Sequence, residues 1–126
     1  MSFAQPDDDQ LRVEVIAEGE GLLIPMHATV TVHYNGTLED GTLFDSSYTR
    51  GQPLKFKVGA GEVIRGWDLA VLQLKKRSKA KVTIPPSLAY GEEGLGDKVP
   101  PNAHLIFVVE VFGFELGSRS VSEPAP

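Results

Sequence analysis

Ile64-Arg65-Gly66-Trp67-Asp68-Leu69-Ala70-Val71-Leu72-Gln73-Leu74 decides the fold, because it is the one stretch with a helical period. Ile64, Trp67, Val71 and Leu74 recur every three or four residues, with Arg65, Asp68 and Gln73 between them. That spacing lays one apolar stripe along a short amphipathic helix of about three turns. Outward from it, alternation by two takes over. Leu11, Val13, Val15 and Ala17 alternate with Arg12, Glu14, Ile16 and Glu18; Val30, Val32 and Tyr34 alternate with Thr29, Thr31 and His33. Leu54, Phe56 and Val58 alternate with Lys55 and Lys57, and Ala80, Val82 and Ile84 with Lys79, Lys81 and Thr83. Each run reads as a strand with one buried face. Leu105-Ile106-Phe107-Val108-Val109-Glu110-Val111-Phe112 is apolar on nearly both faces, the pattern of a central strand covered on its second side. Asp40-Gly41 signals a hairpin, Gly59-Ala60-Gly61 a turn ahead of the helix, and Pro85 to Pro101 a loop-rich stretch. Five or so antiparallel strands around one helix make a small α+β domain, its sheet burying the apolar face on Ile64, Trp67 and Val71.

Length and composition set the frame. With 126 residues, 41% hydrophobic and 23% charged, the chain holds one globular core. Residues 1–10 are polar and acidic and residues 117–126 rich in Ser and Pro; both read as disordered tails, the second as a linker or the cut end of a longer protein, around a domain at 11–116. A net charge of −5 argues against a nucleic-acid or anionic-membrane surface. The basic run from Lys75 to Lys81 lacks interleaved aromatics and reads as a solvated turn and strand edge. The first residues carry no secretory pattern, and no window approaches the ~18 apolar residues of a membrane span. The expectation is a soluble cytoplasmic protein.

The usual catalytic groups are missing. There is no cysteine, so thiol chemistry, disulfides and Cys-based zinc sites are excluded. His27, His33 and His104 are scattered without metal-ligand spacing, no serine sits in G-x-S-x-G, and the glycines around Gly59, Gly61 and Gly66 do not make a dinucleotide fingerprint. Neither metal nor cofactor is expected. Asn35-Gly36-Thr37 fits a glycosylation sequon but reads more simply as a strand-end turn. What remains unusual is a set of aromatics beside loops: Tyr34, Phe44, Trp67, Tyr90 and Phe107. Singly each reads as ordinary core. Together they suggest an apolar ligand pocket, because loops seldom bury aromatics without a reason.

Five segments in register then carry a resemblance. Val32-His33-Tyr34-Asn35-Gly36, Gly41-Thr42-Leu43-Phe44-Asp45-Ser46-Ser47, Gly61-Glu62-Val63-Ile64-Arg65-Gly66-Trp67, Ala89-Tyr90-Gly91 and Val99-Pro100-Pro101-Asn102-Ala103 resemble the FKBP-type peptidyl-prolyl isomerases, a family that also binds tacrolimus and rapamycin. The resemblance implies a five- to six-stranded, twisted antiparallel sheet wrapped around one short helix. It implies a pocket walled by Tyr34, Phe44, Asp45, Val63, Ile64, Trp67, Tyr90, Val99 and Phe107, with Arg50, Leu54 and Glu62 beside them and Trp67 as the floor. It implies roles too: the Ile64 N–H and the Tyr90 hydroxyl holding substrate carbonyls, and Asp45 either assisting electrostatically or held by Tyr34 and Arg50 as structure. Proline-containing peptides, folding proteins and the two macrolides are the implied partners, for a monomer. A proline-binding module or co-chaperone domain with incidental catalysis is the alternative. Leu54 stands where many members have a second Phe, Arg77 where Gly is usual in the turn, and Leu95 and Lys98 where the smallest drug-binding members have His and Ile.

Overall fold

The computed structural model describes residues 10–116, so both proposed tails lie outside the described residues apart from Gln10. Eight strands follow in chain order: β1 Arg12–Ala17, β2 Glu20–Leu23, β3 Thr29–Leu38, β4 Leu43–Ser46, β5 Leu54–Lys57, β6 Lys75–Lys76, β7 Lys79–Ile84 and β8 Leu105–Glu115. A one-turn helix, α1 Ser47–Arg50, sits between β4 and β5, and α2 Arg65–Ala70 between β5 and β6. The main sheet has the order β1-β7-β8-β3-β4, and every pairing in it is antiparallel. β8 pairs along all of β3, from Thr29↔Glu115 to Leu38↔Leu105. The opposite edge of β3 is shared: its first half takes β5, Thr29↔Lys57 to Val32↔Leu54, and its second half takes β4. β2 and β6 form a separate two-stranded sheet.

The period-2 pattern decides which face is buried. Val30, Val32 and Tyr34 of β3, Ala80, Val82 and Ile84 of β7, and Leu105, Phe107, Val109 and Val111 of β8 all turn inward. The stripe Trp67, Ala70, Val71 and Leu74 closes the same core. Each buried Val, Leu or Ile contributes about 1.5–3 kcal/mol of transfer free energy. Helix and sheet approach closely at Gly66, where a Cβ would stand 2.5 Å from Ile84 Cγ2. Asp68 anchors the helix entry by accepting from the Gly59 and Gly61 N–H groups at 2.8 and 3.1 Å. Both glycines have positive φ, 84° and 75°, which a residue with a Cβ adopts only under strain.

Several expectations need correcting. The helix is shorter than about three turns: after Ala70 the chain tightens into a 3-10 turn, Val71–Gln73, and Leu74 is already extended. A 3-10 turn is a common way to finish a helix, because it satisfies end carbonyls that would otherwise lack donors. β1 is an edge strand whose alternation buries little, with Val15 45% exposed. The basic run is a strand edge and a turn only in its first half: Lys75 and Lys76 form β6 of the two-stranded sheet, whereas Lys79 to Lys81 lie in β7, enclosed by β1 and β8. Asn35-Gly36-Thr37 is not a turn but the second half of β3, paired on both sides. β8 is central, as its composition suggested, but its second face is only half-buried. Arg77 takes φ 70° in the β6–β7 turn, the left-handed conformation that glycine enters without strain.

Candidate active site

One residue too many in β4 creates the site. Gly36 pairs with Asp45 and Thr37 with Leu43, so Phe44 is an extra residue in a β-bulge. Neighbours on a regular strand point to opposite faces; the bulge turns Phe44 and Asp45 into one cleft. Tyr34 and Phe107 reach it from β3 and β8, Leu54 from β5, Trp67 from α2, Glu62, Val63 and Ile64 from the segment leading into α2, and Tyr90 from the loop after β7. The cleft holds about 210 Å³. Trp67 forms its floor at 5% exposure, crossed edge-on by Tyr34 and Phe107, each with ring centroids at 5.0 Å, and backed by Phe56 at 5.9 Å. Phe44 meets Phe107 edge-to-face at 5.6 Å. Such T-shaped contacts lock ring orientation beyond what area burial alone would do.

Gly36 makes this cluster fit. A Cβ there would stand 2.7 Å from Phe107 Cε1 and 3.0 Å from Phe44 Cζ.

The polar groups divide into a closed set and an open set. Asp45 belongs to the closed set: one carboxylate oxygen accepts from the Tyr34 hydroxyl at 2.7 Å, the other from Arg50. Arg50 also donates to the Tyr34 oxygen at 2.9 Å, completing a triangle. α1 brings Arg50 back to Asp45. Ser46 caps it by accepting from the Thr49 N–H at 3.2 Å, Gly51 ends it at φ 72°, and the Ser47 hydroxyl accepts the Tyr34 N–H at 2.7 Å. Burial first, and then the hydrogen bond to Asp45, push the Tyr34 phenol above its ordinary range. The open set is the Ile64 N–H and the Tyr90 hydroxyl, neither of which has a partner among the described residues. Burial raises the Tyr90 phenol as well, with the Asp45 charge adding to it, so its O–H remains a donor at neutral pH.

Ten of the twelve residues expected at the pocket line this cleft. Arg50 stands behind Asp45 and lines a neighbouring groove. Val99 is a correction: at 1% exposure it is packed into the core, held by backbone hydrogen bonds with Leu95, and does not line the cleft. The bulge and α1 were missed. Ser46 with Gly51 was a signal for α1, a cap at each end, but a single turn is too short to show a period.

An antiparallel sheet on a short helix carries one cleft lined by aromatic rings, with two unpaired donors beside it. Residues 24–112 match the family model for FKBP-type peptidyl-prolyl cis-trans isomerase. FK506-binding protein 1 of Dictyostelium discoideum is 49% identical over 105 residues, spanning 83% of this chain and 98% of its own length. The Drosophila melanogaster protein named peptidyl-prolyl cis-trans isomerase Fkbp12 is 49% identical over 106 residues, with the same two coverages, 83% and 98%. Among solved structures, AtFKBP13 superposes with a TM-score of 0.77 at 38% identity, covering 82% of this chain and 91% of that one. FkpA from Escherichia coli gives 0.76 at 44% identity, over 83% of this chain and 48% of its own. The chain belongs to the FKBP-type peptidyl-prolyl cis–trans isomerases. It is an isomerase of X–Pro peptide bonds.

Proposed function

We propose that the Trp67-floored cleft binds the substrate proline and that water exclusion there, not a charged side chain, speeds rotation of the X–Pro bond. Rotation breaks no covalent bond; its barrier of about 18–20 kcal/mol comes from amide resonance. Resonance puts negative charge on the carbonyl oxygen, which water stabilises. A cleft that strips water away raises the planar form relative to the twisted one, and each 1.4 kcal/mol or so is a factor of about ten in rate. The observation carrying this reading is the division of polar groups: both Asp45 oxygens are already occupied, while the Ile64 N–H and Tyr90 O–H remain free to hold substrate carbonyls. Substrates are exposed prolines in peptides and folding proteins, handled by a cytoplasmic monomer. Tacrolimus and rapamycin occupy the same cleft, which is shallower on the Leu54 side than one with Phe there would be.

The test is isomerisation of an Xaa-Pro peptide followed by NMR exchange, with and without tacrolimus. Acceleration at micromolar protein that tacrolimus abolishes supports the assignment. Acceleration that persists with tacrolimus bound would place the reaction elsewhere.

A further inference from the structure

Beside the cleft lies a second groove of about 270 Å³, and Phe44 and Asp45 line both. Its other walls include Leu43, Arg50 and, from the loop after β7, Lys98. Leu43 is 53% exposed, an apolar support for the stem of an incoming side chain. The charges do not cancel. Arg50 is committed to Asp45 and to Tyr34, so it neutralises the carboxylate. Lys98 is exposed and has no acidic partner among the described residues. Asp97 precedes it in the chain but forms no ion pair with it, so the groove presents one unpaired cation at the edge of the cleft.

We propose that this groove is a specificity subsite in which Lys98 selects substrates carrying an acidic side chain next to the proline. The inference rests on the cleft being the proline site. Consecutive Cα atoms are about 3.8 Å apart, so a side chain next to a bound proline that passes over the shared Phe44–Asp45 wall enters this groove. A glutamate there lays its methylenes on Leu43 and Phe44 and brings its carboxylate to Lys98, while Arg50 shields it from Asp45. An exposed ion pair is a modest interaction, so the expected preference for Glu over Gln is about two- to fivefold at low salt. It fades as salt screens the pair.

The experiment compares kcat/KM for peptides that differ only in Glu, Gln or Lys, placed immediately before or after proline, at low and high salt. Glu is favoured and Lys disfavoured at one flank only, and the contrast shrinks at high salt. Lys98→Gln removes the contrast and Lys98→Glu inverts it, while the Gln peptide is turned over at an unchanged rate in both variants. Equal rates for Glu and Gln at both flanks, the same preference at both flanks, or a Glu preference surviving Lys98→Glu overturns the subsite. These outcomes leave the cleft assignment standing if tacrolimus still blocks the Gln peptide. A Gln peptide turned over despite tacrolimus overturns that assignment, and the subsite with it.

Discussion

Gly36→Ala isolates the packing of the aromatic cluster from its chemistry. Gly36 lies in β3 beside the bulge of β4 and has no positive φ, so alanine suits the backbone and only space is at issue. The added methyl would stand 2.7 Å from Phe107 Cε1 and 3.0 Å from Phe107 Cδ1 and Phe44 Cζ. Ordinary carbon contacts begin near 3.4 Å, so the Phe107 ring must retreat by about 0.7 Å. It cannot retreat freely, because Tyr34 and Trp67 meet its ring at 5.7 and 5.0 Å between centroids. Overpacking of this kind costs about 1–3 kcal/mol, and the lower unfolded-state entropy of alanine returns about 0.4–1 kcal/mol. A net loss centred on about 1.3 kcal/mol, within a range of about 0–2.6, follows. Gly113→Ala in the adjacent β8 is the control, since a Cβ there meets nothing nearer than Lys76 Cδ at 4.0 Å. Urea unfolding of both variants and tacrolimus titration of the folded proteins measure the two consequences. Gly36→Ala should be the less stable, and its drug affinity should fall as the displaced rings narrow the cleft. A Gly36→Ala protein as stable as Gly113→Ala, with unchanged affinity, would refute the packing argument.

Asp45→Asn keeps the size of the side chain but leaves Tyr34 and Arg50 imperfectly paired; because the triangle is partly exposed, stability in urea should fall by about 1 kcal/mol. Its kcat/KM should fall less than tenfold, and a loss above a hundredfold in a folded protein would show that the carboxylate acts on the reacting amide. The Tyr34 and Tyr90 phenols are raised above the ordinary value of 10.0, each chiefly by burial. The neutral form is favoured in the fold, so this contribution to stability is complete below about pH 10 and is lost as pH rises through the folded values. The phenolate absorbance of Tyr34 and Tyr90 in the native protein should appear above that of free tyrosine. Titration of Tyr34 or Tyr90 at or below the ordinary value would contradict the burial of these two phenols.

The strands with one apolar face, the single amphipathic helix and the Asp40-Gly41 hairpin were legible in the sequence because each has a period or a turn signature. Pocket residues followed from aromatics set beside loops, backed by the resemblance. What escaped is what has no period. The Phe44 bulge is a register slip that depends on β3 as well as β4, and no local pattern records it. α1 is a single turn set by its caps and by Ser47 hydrogen-bonding to β3. Val99 was misplaced because its neighbours in the sequence belong to a loop, while its side chain faces inward to the core. β1 alternates as a buried strand does, yet an edge position leaves most of it exposed.

On the proposed mechanism the Trp67 floor under the proline ring drives the reaction by excluding water. Trp67→Ala tests it most directly, by NMR exchange of an Xaa-Pro peptide, with far-UV circular dichroism and the unfolding transition as controls on the fold. Removing the indole opens the floor to water, and kcat/KM should fall at least tenfold, equivalent to about 1.4 kcal/mol, in protein that remains folded. Undiminished kcat/KM in folded Trp67→Ala would contradict the account.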